Sequence, residues 1–321
     1  MDNIIHGYTL LEPFKTANAG TASWTIAIKG GVRYFLKRFD SPKYTESSIL
    51  ACMEYEAQKK EIYQALAKAD NGNIVYINDF FREGTCYYSA TEYIENSTDV
   101  VRDVYEMPME KKLIVMKVLS HCMMKLEENG IVHSDLKPSN VILKPTIDGY
   151  YTIKLIDFDS GFLEKNDPEI EDVEGDLVYY SPELLRGCCG EDVHITPKAD
   201  VFALGIMFHQ FLTGEVPLIP TDDFDYLCEV VLNGMEPEIS SEIDENYREL
   251  IRKMLLAEPD ERPSFREVFN ALRAENKETA EEEAEFDPAS DPGKFFEDDI
   301  PAEKIVNEND DSELFKALGD L

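Results

Sequence analysis

The sequence predicts an α+β protein with a small antiparallel-sheet lobe over residues 8–95, a larger helical lobe over 96–273, and an acidic tail over 274–321. Three observations predict it. Runs rich in β-branched and aromatic residues, punctuated by glycine turns, fill the first lobe. From Met109 onward the apolar pattern becomes helical, and Val201 to Leu212 is apolar nearly all round, as befits a helix inside a large domain. After Ala274 there are seventeen Asp or Glu and only four Lys. Such a segment buries too little apolar surface to offset chain entropy, so a mostly disordered tail is expected.

Each element follows from its residues. Ser23–Ile28 and Val32–Phe39 flank Lys29-Gly30-Gly31, a hairpin turn, because glycine accepts positive φ without strain. Asn73–Phe81 and Thr85–Ile94 form a second strand pair around Glu83-Gly84. Between the pairs, Ser47 to Ala69 is rich in Ala, Glu, Lys and Leu and reads as a helix that Asn71-Gly72 stops. Leu113, Met116, Val118, Leu119, Met123 and Leu126 mark a largely buried helix ending at Asn129-Gly130. Short strands follow at Val141–Leu143 and Tyr151–Ile156, and Arg262–Ala271 is a last short helix. Two apolar islands interrupt the tail, Phe295-Phe296 and Leu314 to Leu318. They read either as partial helix in solvent or as docking motifs that fold on a partner.

Charge and composition narrow the function. The chain has 321 residues, 43% of them hydrophobic, and a formal net charge of −34. That field repels nucleic acid and anionic lipid, so neither is an expected partner. No stretch reaches the length of a membrane span. The first six residues lack the pattern of a signal peptide. The cysteines, Cys52, Cys86, Cys122, Cys188, Cys189 and Cys228, show no zinc-ligand spacing or disulfide framework. Reduced thiols in a cytoplasmic protein are the simplest expectation.

The chemistry is concentrated in His133-Ser134-Asp135-Leu136-Lys137-Pro138-Ser139-Asn140. One carboxylate, one ammonium and one amide oxygen within six residues suit a transferring phosphoryl group, which needs positioning and charge compensation more than covalent help. Magnesium prefers hard oxygen ligands of this kind. The segment resembles the protein-kinase catalytic loop, H-R-D-L-K-P-x-N. Further motifs follow in the family's order. Asp157-Phe158-Asp159 resembles D-F-G, Gly175 to Glu183 resembles G-T-x-x-Y-x-A-P-E, and Asp200 opens a segment like D-x-W-S-L-G. Arg262 stands where the family's Arg pairs with the A-P-E glutamate, here Glu183.

The resemblance covers about residues 8–273 and implies a bilobal protein kinase fold. It also implies an ATP-dependent serine/threonine protein kinase that uses Mg2+ and acts on a protein substrate. By residue, it implies that Asp135 accepts the hydroxyl proton, Lys137 sits near the γ-phosphate, and Asn140 and Asp157 hold the metal. Tyr34-Phe35-Leu36-Lys37 resembles V-A-I-K, which would put Lys37 on the α- and β-phosphates. Thr91 matches the gatekeeper, Glu92 and Ile94 the hinge that bonds adenine, and Gly20 the sole surviving glycine of the phosphate loop. The helix glutamate that pairs with Lys37 is Glu56 by spacing; Glu61 is the alternative. Trp24, Pro42-Lys43-Tyr44 and Asp79-Phe80-Phe81-Arg82 give the pattern the look of bacterial stand-alone kinases.

The departures matter as much. The phosphate loop is eroded, Ser134 replaces the Arg before the catalytic Asp, Asp159 replaces the D-F-G glycine, and Asp176 replaces the usual Thr. Asp176 could pair with Lys137. Ser160 is the one hydroxyl residue between Phe158 and Gly175, so activation by phosphorylation of that segment is not expected. A second reading is therefore a pseudokinase, an ATP-binding scaffold without turnover. A third, a small-molecule kinase of related fold, fits the Gly175–Glu183 segment less well.

Overall fold

The computed structural model describes residues 3–16, 22–94, 99–146, 149–166 and 175–280, with side chains as far as residue 273. Gly20 and the tail from residue 281, with its two apolar islands, lie outside the described residues.

Gly30 and Gly31 both adopt positive φ, 59° and 83°, the backbone that a two-residue hairpin turn requires. They join β4 (Ala22–Lys29) to β5 (Val32–Phe39), paired antiparallel along their whole length. β5 pairs with β7 (Cys86–Glu92), and β7 with β6 (Ile77–Glu83). On the other side, β1 (Ile4–Ile5), β2 (Tyr8–Leu10) and β3 (Lys15–Thr16) complete the sheet, in the order β1-β2-β4-β5-β7-β6 with β3 also on β4.

Strand alternation divides the side chains between two faces. One face buries Tyr8, Ala27, Leu36, Phe81, Tyr88 and Ala90. The other carries Phe39 and Tyr87, packed against Cys52 and Tyr55 of the helix α1 (Ile49–Ala69). Lys37 precedes Phe39 by two residues and so shares the face that looks toward α1. Each fully buried apolar side chain here contributes roughly 1.5–3 kcal/mol.

The described helical lobe comprises α2 (Val100–Tyr105), α3 (Met109–Glu128), α4 (Pro182–Cys188), α5 (Lys198–Thr213), α6 (Leu227–Leu232), α7 (Glu245–Met254) and α8 (Phe265–Ala280). Two small antiparallel pairs lie among them: β9 (Val141–Pro145) with β10 (Tyr151–Leu155), and β8 (Ile131–Val132) with β11 (Phe162–Leu163). Every residue of α5 from Ala199 to His209 is buried, which accounts for its apolar character all round. Gly214, at φ 86°, ends it in the left-handed conformation and returns its N–H to Gln210 O at 2.7 Å.

Three departures from the sequence reading have local causes. The strand expected from Asn73 begins only at Ile77, because β10 offers residues 73–75 a competing edge. Val75 N donates to Leu155 O (2.9 Å) and Leu155 N to Asn73 O (2.7 Å), while Thr152 Oγ1 donates to Asn73 Oδ1 (2.9 Å). These bonds join the sheet lobe to the helical lobe. The short elements β1–β3, α2, α4 and α6 carry too few residues for a periodic signal. Finally, α8 runs to Ala280, past the point where the tail was expected to begin, since Ala, Glu and Lys are good helix formers.

The expected Arg262–Glu183 pair is present and buried, with forked bonds of 2.8 and 2.7 Å. Arg262 also donates to the carbonyls of Leu256, Ala257 and Lys198, so its charge is fully hydrogen-bonded. All six cysteines are free. Among the described residues no helix is long and apolar enough to cross a membrane.

Candidate active site

The loop between β8 and β9 is held from beneath. Asp200, buried at the start of α5, accepts the backbone N–H of His133 (2.7 Å) and of Ser134 (3.0 Å). Burial pushes its carboxyl up to about 7, against those two donors, which favour the charged form. Ser134 adopts φ 61°, and its hydroxyl donates to Ser160 O at 2.8 Å. The buried His133 ring, its pKa pulled down by burial, meets Ile156 O through Nε2 (3.1 Å) and lies 4.7 Å from the Phe158 ring.

Asp135, Lys137 and Asn140 converge above this support. Lys137 Nζ contacts both carboxylate oxygens of Asp135, at 2.9 and 2.8 Å. Asn140 Nδ2 donates to Asp135 O (2.7 Å) and Asp135 Oδ2 (3.1 Å), which leaves Asn140 Oδ1 as the free acceptor of that amide. Asn140 O accepts from Ile156 N at 2.9 Å, which ties the loop to the end of β10. Asp157 follows, at φ 63°, a left-handed backbone that costs of order 1–3 kcal/mol and is concentrated at functional sites.

Lys37 reaches across from β5 to Asp157, at 3.0 and 3.3 Å, and also bonds Asp159. Lys37 thus meets Asp157, Asn140 meets Asp135, and the backbone bond from Ile156 to Asn140 joins the two pairs. Burial pulls the Lys37 ammonium down, but Asp159 and Asp157 outweigh it and hold the group well above the usual lysine range. Burial alone would raise both carboxyls. Lys37 outweighs it at Asp157, which is lowered, whereas Asp159, also facing the Asp157 charge, stays raised.

The structure corrects the expected partner of Lys37. Glu56 does not meet it; its carboxylate accepts the Tyr87 hydroxyl at 2.5 Å. Nor does Glu61, which pairs with Lys165 and accepts from Asn166 Nδ2 (2.7 Å). The cause is local competition: a tyrosine and a solvent-side lysine satisfy the two helix carboxylates, and Asp159 lies nearer the ammonium. The suggested Asp176–Lys137 contact is also absent. Asp176 Oδ1 accepts Val178 N (3.1 Å), while Lys137 stays on Asp135.

At the sheet edge, Thr91 faces Phe35 across the ladder and shares the face of Lys37 and Ser89. Tyr93 N donates to Arg33 O (3.1 Å), so by antiparallel alternation the backbone groups of Glu92 and Ile94 point to the opposite side of the chain. Sequence reasoning missed Lys59. It is buried on α1 and donates to Asp159 O at 2.7 Å. The one available signal was its position three residues after Glu56, on the same helix face.

The donor set fits magnesium. Asn140 Oδ1 and the Asp157 carboxylate are hard oxygen donors, the latter kept ionised by Lys37. Among the described residues no group of three or more His, Cys, Asp or Glu could hold a metal by itself. Two donors are nonetheless what magnesium asks of a protein when phosphates complete its shell.

Comparison with known proteins points the same way. A family model of the protein kinase domain matches residues 24–272. The serine/threonine-protein kinase PrkC of Bacillus subtilis is 28% identical over 265 residues, 79% of this chain and 36% of that protein. The serine/threonine-protein kinase PSK2 of Saccharomyces cerevisiae is 28% identical over 215 residues, 65% of this chain and 18% of that one. A probable serine/threonine-protein kinase of Clostridium acetobutylicum is 23% identical over 314 residues, 94% and 46% of the two chains. The chain spans less than half the length of these relatives.

Proposed function

The chain belongs to the protein kinase family, and from that premise we propose that it transfers the γ-phosphate of Mg-ATP to serine or threonine hydroxyls of a protein substrate. The observation that carries the reading is the pairing of Lys37 with Asp157 and of Asp135 with Asn140 and Lys137, the two groups joined by the backbone bond from Ile156 N, next to Asp157, to Asn140 O. Asp135 accepts the proton of the attacking hydroxyl. Its carboxylate is aimed by Asn140 and Lys137, and the Lys137 charge offsets negative charge gathering on the transferring group. Lys37 holds the α- and β-phosphates. Asn140 Oδ1 and Asp157 would hold magnesium, which would supply positive charge to offset that of the phosphates. Glu92 and Ile94 offer the adenine edge their backbone groups, Thr91 borders that pocket, and Gly20 lets backbone approach the phosphates. The kinase domain is proposed to span residues 8–273 with α8 closing it.

The test is labelled-phosphate transfer from Mg-ATP to generic protein substrates, with Asp135→Asn beside the parent. The variant is expected to lose about a hundred- to ten-thousandfold in turnover while binding nucleotide normally. A second reading, a scaffold with weak turnover, is favoured by one observation: two carboxylates, Asp157 and Asp159, share Lys37. Magnesium-dependent ATP binding with no transfer by the parent would select it.

A further inference from the structure

The charges around Lys37 are arranged in an unusual order. On α1 the carboxylate that spacing assigns to Lys37, Glu56, is taken by Tyr87. One turn on, the same helix contributes a buried cation, Lys59, whose Nζ donates to Asp159 O at 2.7 Å. Asp159 then places its own carboxylate on Lys37. Two half-buried tyrosines of α1, Tyr55 and Tyr63, complete the surroundings, near enough to Asp159 to feel its charge. The helix therefore reaches Lys37 through Asp159, in the segment that follows β10, and not directly.

We propose that Asp159 is the positioning residue for Lys37, and that Lys59 couples it to α1, so that cation and anion have exchanged places between the helix and the segment after β10. The proposal rests on the functional reading above, in which Lys37 binds phosphate. It explains two departures together. A glycine at position 159 would carry no carboxylate, and a direct helix carboxylate is unnecessary once Asp159 is present. It also separates two duties at one ammonium. Asp157 is then free to hold magnesium while Asp159 keeps Lys37 extended from β5 toward the phosphates. The connection gives α1 a means of acting on the site, because a shift of the helix moves Lys59, and with it Asp159 and Lys37.

Two double-mutant cycles test it, each pairing Lys37→Met with Asp159→Asn. The first reads the urea midpoint of the nucleotide-free protein. Removing both partners is expected to shift the midpoint by less than the two single shifts added. The second reads affinity for a fluorescent ATP analogue, with magnesium and with EDTA. Asp159→Asn is expected to weaken binding about tenfold, within the range for residues of one ion-pair network. That loss should be present in both buffers and absent in the Lys37→Met background. Asp159→Glu, which keeps the carboxylate, should restore most of the affinity, and Lys59→Met should reproduce part of the loss.

If Asp159→Asn does not fold, the cycle of Lys37→Met with Lys59→Met carries the same decision. Additive effects in either cycle overturn the proposal. So does an affinity loss confined to magnesium buffer, which would make Asp159 a metal ligand. A parent that binds no Mg-ATP overturns the functional reading and this inference with it. A parent that binds as well as Asp159→Asn does overturns the inference alone.

Discussion

His209, buried inside α5, accepts the Ser240 backbone N–H at Nε2 (3.1 Å) and meets Glu215 O at Nδ1 (2.6 Å). A carbonyl can only accept, so the proton sits on Nδ1 and Nε2 must stay bare. Burial pulls the folded pKa below 6.5, consistent with that geometry. The linkage follows in sign. Below about 6.5 the unfolded chain binds a proton that the folded chain refuses, so stability rises with pH across that window and falls on acidification. Its slope approaches about 1.4 kcal/mol per pH unit until the folded pKa is reached, and vanishes above 6.5. His209→Gln removes this contribution. In urea titrations, the stability difference between parent and variant is expected to shrink from pH 7 to pH 5; an unchanged difference would show that His209 does not titrate on unfolding.

Packing between elements depends on Gly205 at the α5–α7 contact. A Cβ there would lie 3.0 Å from Met254 Cβ and 3.1 Å from Leu255 Cδ2. The first neighbour is fixed to the backbone and gives little. For Gly205→Ala, the crowding is offset by a helix-propensity gain of about 1 kcal/mol, so little net change in stability is expected. Gly205→Val adds two branches with no room for them and is expected to lose about 1–3 kcal/mol. Chemical denaturation of both variants checks the contrast, and equal stability would mean that the helices separate freely at this point.

At the scale of the whole molecule, the chain divides after Thr279, within the last turn of α8. The bonds between the lobes described above, those of residues 71–75 with β10 and His121 and those of Lys37, Lys59 and Glu61, lie before that point. A chain ended after Ala280 is therefore expected to melt within about 2 °C of the parent, a fraction of a kcal/mol for a domain of this size. It is also expected to keep Mg-ATP affinity. A larger fall in either, by calorimetry or ligand titration, would assign residues 281–321 a part in the kinase fold.

By itself the sequence determined the sheet-then-helix order and the α5 core helix, and its resemblance to protein kinases implied the Arg262–Glu183 pair and the grouping of Asp135, Lys137 and Asn140. These are matters of local pattern: strand period, helical period, and short motifs whose spacing holds Asp135, Lys137 and Asn140 on one loop. Only the tertiary structure decided which carboxylate meets Lys37. Glu56, Glu61, Asp157 and Asp159 are chemically equivalent candidates, and spacing along α1 cannot rank them. Tyr87 and Lys165 claim the two glutamates from elements distant in the chain, which leaves the ammonium to the aspartates that β10 delivers beside it. Ion pairing in a partly buried cleft is settled by competition among groups that only folding brings together.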